Sequence, residues 1–310
     1  MNQEQFINQK IEEIKAIVGS EKAVSALSGG VDSSVCTVLA HRAIKDRLRV
    51  IFIDDGLMRE NEPQEVSQIF SELGIKVEII DAKDEFFAAL RGKVDPEEKR
   101  KAFRDVFYKV FGRQVINSGA RYLVQGTIAA DVIETKGGVK TQHNILEQIG
   151  IDPEKGYGFK VVEPLITLFK HEVRRVAESL GLPERIFQRM PFPGPGLATR
   201  VIGEVTPQRV ALIRQVTQIV EEETSSLNPF QAFAVLLNDK GTGIEKGMRK
   251  FGNIIIIRSV ESKDAMTAEP SQVPWEILLR MAKRITVEIP QVVRVAYELT
   301  PKPPATIEYI

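Results

Sequence analysis

The chain has 310 residues, 42 basic and 42 acidic side chains, and a single cysteine, Cys36. Zero net charge argues against non-specific nucleic-acid binding as the main task, and one cysteine excludes an internal disulfide or a cysteine-rich zinc site. Apolar runs such as Phe233–Leu237 are too short to cross a bilayer, and Met1 to Lys15 is charged with no signal-peptide core, so a reducing cytoplasm is the expected home.

Phe6, Ile7, Ile11, Ile14 and Val18 have helical spacing, and Gly19 stops the run. Lys22 to Leu27 reads as a short buried strand, and Ser33 to Lys45 as a helix with Val35, Val38, Leu39 and Ile44 inward. Between them stands Ser28-Gly29-Gly30-Val31-Asp32-Ser33-Ser34. Two glycines allow a sharp turn, the amides at a helix start lack intrahelical partners, and the helix dipole favours an anion there. The hydroxyls of Ser28, Ser33 and Ser34 add donors. Asp32 would repel a bare phosphate, so it reads as a magnesium ligand beside one. No Gly-Lys-Ser/Thr follows, which excludes a Walker A loop, and the spacing is not G-x-G-x-x-G.

Val50-Ile51-Phe52-Ile53 is the continuous apolar run of a strand covered on both faces, and it ends in Asp54-Asp55-Gly56. A helix from about Glu62 to Leu73 and a strand at Lys76–Ile80 follow. Alternating strands and helices imply a parallel, doubly wound sheet with ligands at the carboxyl ends of its strands. Asp95-Pro96-Glu97-Glu98 is a helix start ahead of a buried stripe at Phe103, Val106, Phe107, Val110 and Phe111. The basic triplet Lys99-Arg100-Lys101 reads on composition as a solvated face.

Tyr122 to Thr127 reads as a fourth strand, and Ala129 to Lys160 as a long polar loop carrying His143, of the kind that forms lids. Val161–Leu165 is a further strand, and His171–Leu180 a helix preceded by Lys170. Pro191-Phe192-Pro193-Gly194-Pro195-Gly196 is a rigid connector, and the domain boundary is placed there. The expected division is residues 1–190 and residues 191–310. In the second part a helix runs from Pro207 to about Glu223, strands at Phe230–Leu237 and Asn253–Val260, a helix at Pro274–Glu288 and a strand at Val292–Tyr297. The segment Lys302 to Ile310 has two prolines, a cation and an anion at fixed offsets, unlike a frayed end.

The heptad resembles the PP-loop of the ATP pyrophosphatase superfamily. Further matches are Gln125-Gly126-Thr127, Asp131-Val132-Ile133-Glu134, Glu163-Pro164-Leu165 through Lys170, the Pro191 to Leu197 connector, Asp264-Ala265-Met266-Thr267, and Lys302 to Glu308. In order and spacing these resemble the synthetase part of the GMP synthetase family, from about residue 20 onward. The resemblance implies an α/β fold: a doubly wound parallel sheet of the adenine nucleotide alpha hydrolase-like (PP-loop) type, with a second, smaller α/β domain that carries dimerisation and substrate binding.

The resemblance also implies a reaction. ATP adenylates the C2 oxygen of xanthosine monophosphate (XMP), pyrophosphate leaves, and ammonia displaces AMP to give GMP, a carbon–nitrogen ligation. It assigns ATP and pyrophosphate to Ser28, Gly29, Gly30, Val31, Asp32, Ser33 and Ser34, and magnesium to Asp32. Lys170 is the candidate for further charge on the phosphates, against a plain surface lysine. XMP falls to Arg100, Lys302, Ile307 and Glu308, with Glu308 accepting from purine N–H groups. Because the terminal segment belongs to the small domain, the acceptor pocket is expected between domains or across a homodimer.

Two departures stand out. Where bacterial relatives carry Gly-Asp-Gly-Arg-Lys, this chain has Lys246-Gly247-Met248-Arg249-Lys250 and so lacks the aspartate. The chain begins one helix before the PP-loop, and Cys36 sits in the following helix as a small buried residue, so no Cys-His glutaminase can be assembled. The pattern is that of the synthetase component of the split, archaeal-type enzyme, served by a separate glutamine amidotransferase subunit and able to use free ammonia. Rival readings are an NAD synthetase, a tRNA-modifying sulfur transferase, which would want paired cysteines and a basic face, and a non-catalytic nucleotide sensor.

Overall fold

In the computed structural model, residues 2–136, 160–263 and 265–310 are described. The chain divides into two units. The first comprises residues 1–54, 61–82 and 107–189, and the second residues 55–60, 83–106 and 190–310.

The first unit holds α1 (Gln3–Val18), β1 (Ala23–Leu27), α2 (Val31–Ile44), β2 (Leu48–Asp54), α3 (Glu62–Glu72) and β3 (Val77–Asp81). It continues with β4 (Tyr122–Val124), α6 (Ala129–Lys136), β5 (Lys160–Val162), α7 (Lys170–Ser179) and α8 (Glu184–Phe187). Its sheet has the order β3-β2-β1-β4-β5, every neighbouring pair parallel. The doubly wound parallel sheet expected of the sequence is present. The connection from β3 returns to the other side of β1, so the order reverses between β1 and β4, where such folds open a crevice at the strand ends. Ten of the fourteen residues of α2 are buried, because α1 and α7 cover the side turned from the sheet.

The second unit holds α4 (Lys83–Leu90) and then α9 (Pro207–Thr224), β6 (Gln231–Glu245), β7 (Met248–Glu261), β8 (Glu269–Pro270), α10 (Trp275–Glu288) and β9 (Val292–Tyr297). The helix α5 (Pro96–Asn117) starts in this unit and ends in the first. Asp95 caps α5, its Oδ1 accepting from the amides of Glu97 and Glu98. The sheet pairs β6 with β7 and β7 with β8 antiparallel, and β7 with β9 parallel.

Several expectations shift. The strands expected at 230–237 and 253–260 extend into one hairpin, turning at Lys246 and Gly247, which have φ of 52° and 79°. Two successive positive φ angles make this a tight hairpin turn that glycine suits. The start of the expected lid, Ala129–Lys136, is helical. The remainder of that segment, with His143, lies outside the described residues. Lys99 is buried, not solvated: its Nζ donates to the Val201 carbonyl at 2.7 Å.

Candidate active site

The turn after β1 places the heptad Ser28–Ser34 at the carboxyl end of the central strand. Gly30 is the N-cap of α2 and has no side-chain cap. The Ser34 amide is the first to reach an intrahelical carbonyl, that of Gly30 at 3.1 Å, which leaves the amides of Val31, Asp32 and Ser33 without an intrahelical partner. The helix thus begins at Val31, earlier than the sequence suggested, and Asp32 falls in its first turn.

The serines hold the loop together. The Ser33 hydroxyl lies 3.0 Å from that of Ser28, accepts from the Ser28 amide and donates to the Gly30 carbonyl at 3.1 Å. Ser34 is fully buried, and its hydroxyl donates to the same carbonyl at 2.8 Å. Two close approaches fix the shape. Gly29 has φ of 73°, and a Cβ there would lie 2.5 Å from Glu62 Oε1. Buried Glu62 is paired with Arg189 at 2.7 Å. A Cβ on Gly126 would lie 3.0 Å from the backbone of both Asp32 and Ser33. The glycine of the Gln125-Gly126-Thr127 motif is therefore what lets the end of β4 lie against the loop.

Asp32 has one oxygen engaged and one orphaned. Lys170 Nζ, at the start of α7, is 2.6 Å from Oδ2. Oδ1 is buried and has no hydrogen-bond partner. No cluster of three or more potential ligands occurs among the described residues, so an all-protein metal cage is absent there. Magnesium does not ask for one: it takes one or two carboxylates and fills its shell with phosphate and water oxygens. An orphaned carboxylate oxygen beside amides with no intrahelical partner fits that mode. Nearby, the Thr127 hydroxyl donates to Glu163 Oε1 at 2.5 Å and accepts from Gln125 Nε2 at 3.0 Å. Cys36 is buried, its Sγ 3.4 Å from the Gln125 carbonyl. Burial first, and then the charges of Asp32 and Glu163, push its thiol well above the ordinary range, so it is no nucleophile.

The residues assigned to the acceptor lie in the second unit. Arg100 is exposed and pairs with Glu97 one turn earlier on α5. Lys302 forms an isolated antiparallel bridge with Ala268, and its Nζ donates to the Ala265 carbonyl at 2.8 Å. Ile307 is a core residue, packed with Phe233, Val235, Val260 and Ala268. Glu308 is held by Arg200, with Nη2 2.9 Å from Oε1 and Nε 3.2 Å from Oε2, and by Gln231 Nε2 at 2.5 Å from Oε1. Arg258, also buried, donates to the carbonyls of Thr300, Thr306 and Ile307 at 2.9–3.0 Å. Structure thus brings Lys302, Ile307 and Glu308 onto one clamped segment and leaves Arg100 in a local pair. Sequence reasoning missed Arg200, Gln231 and Arg258. The available signal was an arginine inside an otherwise apolar strand at Ile257-Arg258-Ser259, and one closing the Gly-Leu-Ala-Thr-Arg turn.

A glycine turn from the central parallel strand, unpaired amides at a helix start and a lone carboxylate in the first turn define a PP-loop ATP pyrophosphatase. Residues 1–194 match the family model described as NAD synthase, and residues 218–309 match that of the GMP synthase C terminal domain. The chain is 53% identical over 309 residues to the B subunit of the glutamine-hydrolyzing GMP synthase of Pyrococcus furiosus, covering 99% of this chain and 97% of that one. It is 52% identical to the corresponding protein of Archaeoglobus fulgidus, with each chain fully covered. An NH3-dependent NAD synthetase from Campylobacter jejuni is similar in structure with a TM-score of 0.48 and 15% identity, over 73% of this chain and 87% of that one. The chain belongs to the GMP synthase B-subunit family.

Proposed function

We infer that this chain is the synthetase subunit of a two-subunit GMP synthase, a carbon–nitrogen ligase. It adenylates XMP with ATP and aminates the product with ammonia delivered by a separate glutamine amidotransferase subunit. The observation that carries this reading is the joining, in one chain, of the PP-loop to a region matching the GMP synthase C terminal domain. That region also weighs against NAD synthesis as the activity.

The loop amides and the dipole of α2 receive the diphosphate that departs from ATP, in the place where negative charge grows. Asp32 is the side chain that would hold magnesium, through Oδ1, and a bound magnesium would supply positive charge to the phosphate oxygens. Lys170, already 2.6 Å from Asp32, adds its ammonium to the same charge. Ser28, Ser33 and Ser34 act by keeping the loop in shape, since two of the three hydroxyls donate to its own backbone. No protein nucleophile is required; positioning and charge neutralisation account for the chemistry. Lys302 meets the 5′-phosphate of XMP, Glu308 the purine N–H groups, and Arg100 steers the incoming nucleotide from an exposed face.

The synthetase acts in the cytoplasm as a homodimer through residues 191–310. Supporting the dimer, Ile244 and Phe251 lie on one face of the β6–β7 hairpin, 80% and 76% exposed. No helix among the described residues is long and apolar enough to cross a membrane. The test is AMP release from ATP. It should depend on XMP and ammonia, and not respond to nicotinate adenine dinucleotide or tRNA. Glutamine should replace ammonia only when the amidotransferase is added. Glutamine-dependent GMP formation by this chain alone would refute the assignment.

A further inference from the structure

Arg200 and Gln231 have no part in the reading above, yet both are buried and both donate to Glu308. Arg200 is 1% exposed. Its guanidinium lies between the rings of Phe192, 4.7 Å away, and Phe233, 4.3 Å away. Edge-on it meets the carboxylate of Glu308 with two parallel N–H donations, while Nη1 is buried without a partner. Gln231 adds a third donation to Glu308 and ties the same amide to the Pro191 carbonyl at 3.1 Å. The connector Pro191–Gly196 is therefore a wall of this arrangement, since Phe192 forms one side of the guanidinium stack.

A buried ion pair is a weak way to gain stability, because apolar residues of the same volume do as well. What a stacked fork does give is a fixed plane: neither the guanidinium nor the carboxylate it grips can rotate freely. Glu308 is itself 22% exposed at its side chain, so its remaining lone pairs are open to a ligand. We propose that Arg200, with Gln231 and Phe192 behind it, is the positioning residue that orients Glu308 for the acceptor base and so sets base specificity. A carboxylate fixed in this way accepts from the ring N1–H of a 6-oxopurine and repels the bare N1 of a 6-aminopurine. The proposal rests on the reading that Glu308 meets the purine.

A double-mutant cycle separates the two ideas. Full-length Arg200→Gln, Arg200→Lys, Glu308→Gln and the Arg200→Gln/Glu308→Gln pair are compared by ammonia-driven AMP release, with KM measured for XMP and for ATP. Arg200→Lys keeps the charge but not the fork, and covers the case in which Arg200→Gln does not fold. Each arginine variant is expected to raise KM for XMP by about tenfold or more, with KM for ATP within about twofold. The double variant is expected to be no worse than Glu308→Gln alone, because Arg200 acts through that carboxylate. Additive losses, or KM for ATP rising in step, would make Arg200 a structural residue and overturn the proposal. An unchanged KM for XMP in Glu308→Gln would overturn the purine reading itself, and the proposal with it.

Discussion

The PP-loop of the first unit and the terminal segment of the second handle charge in opposite ways. The loop is a run of small residues whose donors are backbone amides, and the cation on its aspartate, Lys170, is half exposed at 48%. The terminal segment is gripped by two arginines that are each 1% exposed. A site that must follow charge as it moves onto a leaving group profits from fixed dipoles and a cation free to shift. A site that must recognise a neutral base profits from acceptors that cannot move. The first economises on desolvation; the second accepts it in exchange for geometry.

The largest expected effect tests the loop side. Asp32→Asn keeps the shape but loses the charge and turns one acceptor oxygen into a donor; turnover should fall by about two to three orders of magnitude. Circular dichroism should be unchanged, and activity close to normal would show that the metal is held elsewhere. Next is Arg258→Met, which strands the carbonyls of Thr300, Thr306 and Ile307. Urea unfolding should report a loss of about 3 kcal/mol, and a loss near zero would break the picture of a clamped segment. Gly126→Ala should be milder, at about 1–3 kcal/mol with a raised KM for ATP, because the backbone of Asp32 and Ser33 must retreat from the added methyl.

Lys99 offers a pH test. Burial first, and the neighbouring Arg209 second, pull its amine from 10.5 down to about 8, against Asp95, which acts the other way. Between those two values the unfolded chain binds the proton more tightly than the folded one, so stability contributed by this group rises with pH. Below about pH 8 both states carry the charge and the native state bears its full cost. Lys99→Met should therefore flatten the rise in melting temperature between pH 8 and 10.5 relative to the parent. An identical slope in both proteins would mean that the amine is not desolvated. The smallest effect belongs to Cys36: its buried thiol should be inert to a thiol reagent in the native protein and react on unfolding, and Cys36→Ala should keep normal turnover.

The loop was legible in the sequence because its determinants are contiguous. Strand, glycines, serines and aspartate follow one another within a dozen residues, and local backbone rules decide what such a run does. The parallel sheet was legible for a similar reason, since Val50–Ile53 and Val77–Ile80 announce strands by composition. The fork on Glu308 was not, because Arg200 meets it across 108 positions and nothing local marks an arginine as buried. Lys99 was misread for the same reason: a basic triplet looks solvated until the Val201 carbonyl is brought against its amine. The extra length of β6 and β7 was hidden by Lys240, Thr242, Glu245, Lys246 and Lys250, polar residues that suit the exposed end of a hairpin and break an apolar strand pattern.

Ile307 plugs a core whose other members, from Phe233 to Ala268, come much earlier in the chain. Until residue 307 is in place, that cluster lacks one of its five buried members. A copy cut short before this residue leaves Phe233, Val235, Val260 and Ala268 without their plug and, on the proposed reading, without the carboxylate that meets the base.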